Sequence, residues 1–342
     1  MKYQFHTTTH DMRLKLLEQE GNIIEINIDD FSCPTIAIDE DADELYQFDY
    51  GFMYITLQEF DNGVTDPTKT TYYRDWAEKK GLDSCRNRII NFLDLYKDIK
   101  ENGLREPVVV EITGQKIDGS HRAAVMKHLG HKTIKAREVV LDCRDIDEAF
   151  IQRTLKAREQ MLGKNYYYID YGSYSNIPCS PVYMENSYDR WEVLKELIEG
   201  RVTDLGCNEG FMSIQCALKG HKTVGIEYEF ADGANFNKII FESKKGKLPL
   251  RFIDGDITKI DIPSCDTCLL LNVIYHIPRD KQVELVRKID AKKIIFQANN
   301  RKAHEVENFR GCTIETIKEI CSEAGRPVKS IIEWRDKPIV IA

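Results

Sequence analysis

The stretch Val202-Thr203-Asp204-Leu205-Gly206-Cys207-Asn208-Glu209-Gly210 decides the fold. A short apolar strand runs into an acidic residue, a glycine turn and an amphipathic helix from about Phe211 to Lys219. Glycine at 206 permits a tight turn and leaves no Cβ between a ligand and the peptide plane. Glycine at 210 lets the new helix pack close to the strand. The helix start offers free N–H groups and a partial positive charge to a polar or anionic ligand. Beyond this turn, strands are expected at 222–227, 250–254, 266–272 and 292–297, with helices at 231–243, 279–288 and 313–324. Such alternation predicts a mostly parallel sheet with helices on both faces. Residues 328–334 and 338–341 read as two closing strands.

Acidic residues end successive strands. Glu227 closes Thr223-Val224-Gly225-Ile226-Glu227, where a ribose meets a carboxylate in a Rossmann-like sheet. Asp256 follows the third strand in Asp254-Gly255-Asp256-Ile257; a base amino group fits Asp256, and Ile257 offers an apolar surface to an adenine ring. The turn reads Gly-Cys-Asn-Glu-Gly instead of G-x-G-x-x-G, so a dinucleotide fits less well.

Four ordered motifs resemble the class I S-adenosylmethionine-dependent methyltransferase family. They are Asp204-Leu205-Gly206-Cys207-x-x-Gly210, Gly225-Ile226-Glu227, Gly255-Asp256-Ile257 and Cys268-Leu269-Leu270-Leu271-Asn272-Val273-Ile274-Tyr275-His276-Ile277. The resemblance spans about 187–342 and implies a Rossmann-like sheet of seven strands, the last antiparallel. It places Asp204 and Gly206 near the methionine amino group, with Cys207 and Gly210 in the same cofactor turn. Glu227 takes the ribose, and Asp256 and Ile257 hold the adenine. Asn272, Tyr275 and His276 border the sulfonium and the acceptor, and form the candidate catalytic set. A hydroxyl acceptor needs a base, and His276 is the candidate; its alternative role is packing at the strand end. Asn299 points to the same edge, or else belongs to a loop. Cys265-x-x-Cys268 lacks a second ligand pair and is read as structural, so no metal site is expected.

The other half of the chain carries Asp118-Gly119-Ser120-His121-Arg122, after a strand at 107–112 and before a helix at 123–129. A helix N-terminus, a hydroxyl, an imidazole and a guanidinium there suit a phosphate. With Pro107-Val108-Val109-Val110 before it and Leu129-Gly130-x-x-x-Ile134 after it, the segment resembles the ParB/sulfiredoxin-like superfamily over about 22–142. That resemblance implies an α+β domain that binds nucleotide, with ATP and Mg as the phosphoryl-transfer pair. In the reductase of that superfamily a cysteine stands where this chain has Ser120, which argues against reductase activity. The base of a kinase would be an upstream carboxylate such as Asp41 or Asp43. Asp118 has a second reading as a helix N-cap.

The formal net charge of -8 argues against a dedicated nucleic-acid binder. The distribution is uneven: 12 acidic residues and one Lys lie between 21 and 69, while 86–137 holds 11 Lys/Arg against 6 Asp/Glu. No apolar run approaches the ~20 residues of a membrane span, and Met1-Lys2-Tyr3-Gln4-Phe5-His6 shows no apolar signal core. With ten cysteines scattered through apparent strands and helices, the expectation is a cytoplasmic protein.

The expected organisation is an N-terminal extension (1–21), a ParB/sulfiredoxin-like domain (22–145), a helical and tyrosine-rich linker or lid (146–186) and a methyltransferase domain (187–342). Residues 38–72 read as acidic and irregular. Seven tyrosines fall within 164–188, and Tyr166, Tyr167, Tyr171 and Tyr174 are lid candidates. The favoured function is methylation, on oxygen, of a small molecule or glycan, with the N-terminal domain binding nucleotide and phosphorylating the acceptor. Two alternatives stay open: a nucleic-acid methyltransferase with the N-terminal domain as clamp, and a methyltransferase gated by a non-catalytic nucleotide-sensing module. Asn272-Val273-Ile274-Tyr275 departs from the Asp/Asn-Pro-Pro-Tyr/Phe pattern of amino-methylating DNA enzymes, which weighs against the first. The acceptor and oligomeric state are not specified by the sequence.

Overall fold

The computed structural model describes residue 3 and residues 5–33, 35–39, 44–80, 82–162, 181–228, 231–298, 312–335 and 337–342. Asp41, Asp43, Asn299 and the candidate lid tyrosines lie outside them. The described residues fall into two compact units, one up to 162 and one from 181 onward.

In the N-terminal unit the elements run β1 (Phe5–His6), α1 (His10–Glu18), β2 (Asn22–Asn27), α2 (Ile28–Phe31), β3 (Thr35–Asp39), β4 (Glu44–Phe48) and α3 (Gly51–Asp61). Then come α4 (Thr71–Lys80), α5 (Leu82–Asn102), β5 (Val108–Glu111), β6 (Gln115–Asp118), α6 (Ser120–His128), β7 (Thr133–Val139) and α7 (Glu148–Leu162). Seven strands form one mixed sheet in the order β2-β7-β5-β6-β1-β3-β4. The sequence reading sets residues 1–21 aside as an extension, yet β1 pairs in parallel with both β6 and β3 inside the sheet. A strand of two residues is too short to show a period of two, so only its neighbours define it.

Residues 38–72, expected to be irregular, hold most of an antiparallel β3–β4 pair, all of α3 and the start of α4. Helix α3 buries Met53, Thr56, Leu57 and Phe60, an i, i+3, i+4, i+7 spacing along one face. Acidic residues at Asp49, Glu59 and Asp61 mask that stripe in a composition reading. The unit's core joins Phe31, Tyr50, Met53, Leu57, Tyr72, Ile89, Phe92, Val108, Val110 and Ala123–Val125.

The C-terminal unit runs α8 (Pro181–Leu194), β8 (Val202–Leu205), α9 (Phe211–Leu218), β9 (Thr223–Glu227), α10 (Ala231–Lys245), β10 (Leu250–Asp254) and β11 (Cys265–Leu271). After a one-turn helix at Ile274–His276 follow α11 (Arg279–Lys288), β12 (Ala291–Gln297), α12 (Ile314–Glu323), β13 (Ser330–Ile332) and β14 (Ile339–Ile341). Its sheet has the order β10-β9-β8-β11-β12-β14-β13. The first five strands are parallel, and β14 is antiparallel to both β12 and β13. Strands β8 and β11 are buried along almost their whole length, and β11 ends in the apolar run Cys268–Leu271 expected of a strand covered on both faces. From β8 the chain builds outward through β9 and β10; from β11 it builds the other way through β12. The order therefore reverses between β8 and β11, and in open α/β sheets the carboxyl ends of strands at such a reversal form the ligand crevice.

Candidate functional site

Strand register sets the site's first row. Asp204 lies opposite Gly225 on β9 and Leu269 on β11. Glu227 lies opposite Asp254 on β10, and Leu271, next to Asn272, lies opposite Gln297 on β12. Asp204, Glu227, Asn272 and Gln297 thus line the carboxyl edge around the reversal.

The turn after β8 keeps that edge open. Gly206 sits at φ +69, and a Cβ there would meet Val273 Cγ2 at 2.4 Å. Gly210 sits at φ +80, with Phe252 Cζ at 2.5 Å from the same hypothetical atom. Any larger residue at either position forces the turn away from β10 or from the segment after β11. The N–H groups of Gly206 and Cys207 both donate to the Ile226 carbonyl, at 2.9 and 3.1 Å. Cys207 is buried and burial pushes its thiol up, so it stays a neutral packing group. Its side chain packs beneath the turn that carries it.

Asp204 is 3% exposed and accepts a hydrogen bond from Ser213 Oγ at 2.7 Å. Burial pushes its carboxyl up to about 6, against the opposing pull of Ser213 and the Arg190 guanidinium. A carboxylate raised by burial lacks a strong cationic partner, and a ligand ammonium would supply one. Glu227 is half-buried, and burial raises its pKa too. Its oxygens accept from the backbone N–H groups of Asn208 (2.6 Å) and Tyr228 (2.8 Å), which fix the carboxylate and leave further lone pairs for a hydroxyl pair.

Asn272 adopts φ +58, a conformation asparagine tolerates better than most residues. Its Oδ1 is buried with no hydrogen-bond partner among the described residues. The same holds for Nε2 of Gln297, a fully buried side chain whose Oε1 accepts from Arg190 at 2.8 Å. Buried polar atoms are ordinarily paired, so an unpaired acceptor and an unpaired donor at adjoining strand ends suit a ligand with both kinds of group.

Asp256 follows β10 as placed by the sequence, but its carboxylate is engaged. It accepts from Thr258 N and Oγ1 at 2.9 and 2.7 Å and pairs with Lys259 at 2.9 Å. These bonds, Thr258 first, pull its pKa down to about 2. Its oxygens shape a turn, and the neighbouring Ile257 is buried in the core. Tyr275 and His276 lie ring against ring, 4.3 Å between centroids, on the one-turn helix after β11. Partial burial lowers the imidazole pKa, so His276 is neutral at neutral pH and can take a proton. Buried Gln282 ties this turn down by donating to the carbonyls of Ile274 and Ile277 at 2.8 and 2.9 Å.

Three contributors escape the sequence reading: Ser213, Arg190 and Gln297. Ser213 and Gln297 do leave a trace, a polar residue on the buried face of α9 and one ending the apolar run Ile294-Ile295-Phe296. Arg190 leaves none, because nothing local says which way α8 faces.

In the N-terminal unit the Asp118–Arg122 turn differs from the phosphate cradle expected. Arg122 is spent inside the fold: it pairs with Asp118 at 2.5 Å and donates to the Pro107 carbonyl at 2.6 Å. Asp118 also takes Arg13 at 3.2 Å. It makes no N-cap bond, because the cap position is Gly119, at φ +110, with no side-chain capping bond. His121 points into the core, stacked on Phe92 at 4.7 Å with Nε2 2.8 Å from the Tyr72 hydroxyl. Burial lowers its pKa to about 4, so it carries no charge for a phosphate. Only Ser120 and the first-turn N–H groups of α6 remain available from the motif.

No family model matches the chain, and no curated protein matches it by sequence. Solved structures of methyltransferases are similar to about half of it. An O-methyltransferase from Nostoc punctiforme shows 15% identity and a TM-score of 0.41, covering 48% of this chain and 57% of its own. Magnesium protoporphyrin IX methyltransferase from Synechocystis, with bound SAH, shows 15% identity and a TM-score of 0.40, covering 53% and 98%. The glycopeptide N-methyltransferase MtfA shows 13% identity and a TM-score of 0.38, covering 45% and 88%.

Proposed function

We propose that the C-terminal unit is an S-adenosylmethionine-dependent methyltransferase acting on a hydroxyl of a small molecule or glycan. The observation that carries this reading is the row of Asp204, Glu227, Asn272 and Gln297 at the sheet reversal, two of them with an unpaired buried polar atom. The residues present fit the cofactor. Asp204, under-partnered and buried, suits an ammonium, and Asn272 Oδ1 suits the same group. Gln297 Nε2 with the Arg190 guanidinium beside it suits a carboxylate. Glu227, its carboxylate fixed by two N–H groups, suits a ribose diol. When bound, S-adenosylmethionine supplies an electrophilic methyl group. The chain's part is to hold the acceptor oxygen in line and exclude water, which together supply most of the rate in such displacements. His276, neutral and next to Tyr275, takes the acceptor's proton.

The test is binding of S-adenosylhomocysteine to the purified chain, followed by transfer of labelled methyl to hydroxyl-bearing acceptors. Saturable binding without transfer to any hydroxyl would keep the cofactor half and remove the O-methylation half.

For the N-terminal unit, the ParB/sulfiredoxin-like reading with ATP and Mg rests on the α6 first turn and Ser120 alone. Absence of a thermal shift with ATP and Mg removes it, and with it both the kinase and the nucleotide-sensing proposals. The nucleic-acid clamp has less support. Within 86–137, Lys97, Lys100, Arg105, Arg122 and Lys127 are all in ion pairs, so much of the local positive excess is already neutralised.

A further inference from the structure

Strand β13 stands last in the order of the C-terminal sheet, so among the described residues one side of it has no strand neighbour. Ile294 on β12 and Ala342, just past β14, exchange both N–H···O bonds, each 3.0 Å. Alternation along an antiparallel strand then turns Ile341 and Ile339 toward β13, and their register partners Ser330 and Ile332 toward β14. The Ile341 carbonyl does accept from the β13 side, from the Lys329 N–H at 2.7 Å. The N–H and C=O of Ile331 are left facing outward, and such edge groups are a template for a further strand. Beside this edge runs an open groove of about 670 Å³, walled by α12 and the turn that follows it. Its floor is apolar, because Val328 and Ile331 pack on the unit's core. Its charged lining is cationic throughout: Lys318, Arg326 and Lys329, with no Asp or Glu among the described residues. None of these cations has a carboxylate partner among the described residues. Arg326 donates to the carbonyls of Ala291 and Ile289, and Lys329 to that of Lys292, which leaves their charge uncompensated. Glu319 and Glu323 of α12 are held elsewhere, both by Arg279. In a chain of net charge -8 this groove is a local reversal of sign.

We propose that this groove docks an acidic segment of a partner protein, bound extended as an added strand on β13. The segment's main chain pairs with the N–H and C=O of Ile331. An apolar side chain of it covers Val328 and Ile331, and its carboxylates pair with Lys318, Arg326 and Lys329. Two other occupants fit less well. A second copy of this chain on the same edge would set the cations of one groove against the same cations of the other. A nucleic acid would meet only one short cationic patch and would leave the apolar floor and the Ile331 main chain unused. This docking is independent of the cofactor site and of methyl transfer.

The test uses the full chain and fluorescein-labelled peptides, read by anisotropy. An alternating Glu-Val hexapeptide is expected to bind saturably with a Kd below about 1 mM. It is expected to bind about tenfold or more tightly than its Lys-Val counterpart, and to weaken as salt is raised. Methylating its peptide nitrogens removes the main-chain donors and is expected to cost about tenfold. The double variant Lys318→Glu, Lys329→Glu, with thermal unfolding to show that it is folded, is expected to prefer the Lys-Val peptide. Where the double variant does not fold, the peptide series on the native chain decides. No saturable binding of the Glu-Val peptide, equal binding of the two peptides, an N-methylated peptide bound as tightly, or a folded variant with the native preference each overturns the proposal. So does tighter binding of a single-stranded RNA hexamer, or a native dimer, seen by analytical ultracentrifugation, that the double variant dissolves.

Discussion

Replacing Asp204 by asparagine separates two consequences of one buried carboxylate. Raised from 3.8 to about 6, its folded-state pKa lies above its unfolded value. The folded chain then binds the proton more tightly, so this group's contribution is favourable below the unfolded pKa and is lost as pH rises through the folded one. At pH 7.5 the ionised group costs the ligand-free fold about 3 kcal/mol, at ~1.36 kcal/mol per pH unit. At 3% exposure, little solvent screening reduces that figure. Asparagine keeps an oxygen for Ser213 Oγ but brings an amide that needs a partner, at a cost of about 1–2 kcal/mol. The net gain is about 1–2 kcal/mol, or a rise of about 2–8 °C in the Tm of this unit. The cofactor's ammonium loses a charge-assisted bond of about 1.5–3 kcal/mol, so S-adenosylhomocysteine binds roughly ten- to hundredfold more weakly. 5′-Methylthioadenosine, which lacks the amino-acid end, binds the variant as it binds the native chain. Differential scanning fluorimetry and titration calorimetry read all three quantities. A ligand-free Tm below native, or equal losses for both ligands, refutes the assignment of Asp204 to the ammonium.

Other outcomes follow from the same geometry. In the native chain S-adenosylhomocysteine affinity falls about tenfold per pH unit below 6 as Asp204 takes up a proton, and in Asp204→Asn calorimetry shows that slope gone. Glu227→Gln weakens S-adenosylhomocysteine and 5′-methylthioadenosine alike, about tenfold or more, because both carry the ribose; a loss for one ligand alone contradicts the ribose role. Gly206→Ala lowers the Tm and cofactor affinity together, since its Cβ would lie 2.4 Å from Val273 Cγ2 at a left-handed φ. In the N-terminal unit Asp61 accepts from the Tyr96 hydroxyl, His128 Nε2 (2.7 Å) and Lys100 (3.1 Å), which hold its pKa well below the carboxylate range. Asp61→Asn costs about 1 kcal/mol after allowance for its 41% exposed side chain. That stability is present above the unfolded pKa and lost as pH falls further, so urea unfolding shows native and variant converging under acid.

The C-terminal unit was legible because its chemistry and its fold share residues. Asp204, Gly206 and Gly210 mark a turn that only a strand-to-helix junction requires, and Glu227 follows at the distance a second strand imposes. Asp256 shows the limit of such reading: spacing puts it at the right edge, yet the adjacent Thr258 and Lys259 claim its oxygens. The same competition removes Arg122 and His121 from the expected phosphate cradle. Their residue types suit an anion, but Asp118, the Pro107 carbonyl, Tyr72 and Phe92 come from neighbouring elements and reach them first. Lys116, 3% exposed on β6, is the reverse case. Nothing around it in Gln115-Lys116-Ile117 distinguishes it from a surface lysine, because Phe31, Cys33, Thr35 and Tyr50 converge on it only after β3 and β6 share a sheet.

The central claim, that the carboxyl edge around Asp204, Glu227, Asn272 and Gln297 is an S-adenosyl cofactor site, is tested most directly by calorimetric titration of the native chain with S-adenosylhomocysteine. The expected result is one saturable site per chain with a Kd in the micromolar range or tighter, a binding free energy of about -8 kcal/mol or better. No saturable heat up to about 1 mM ligand, where binding would be worth only about -4 kcal/mol, contradicts it.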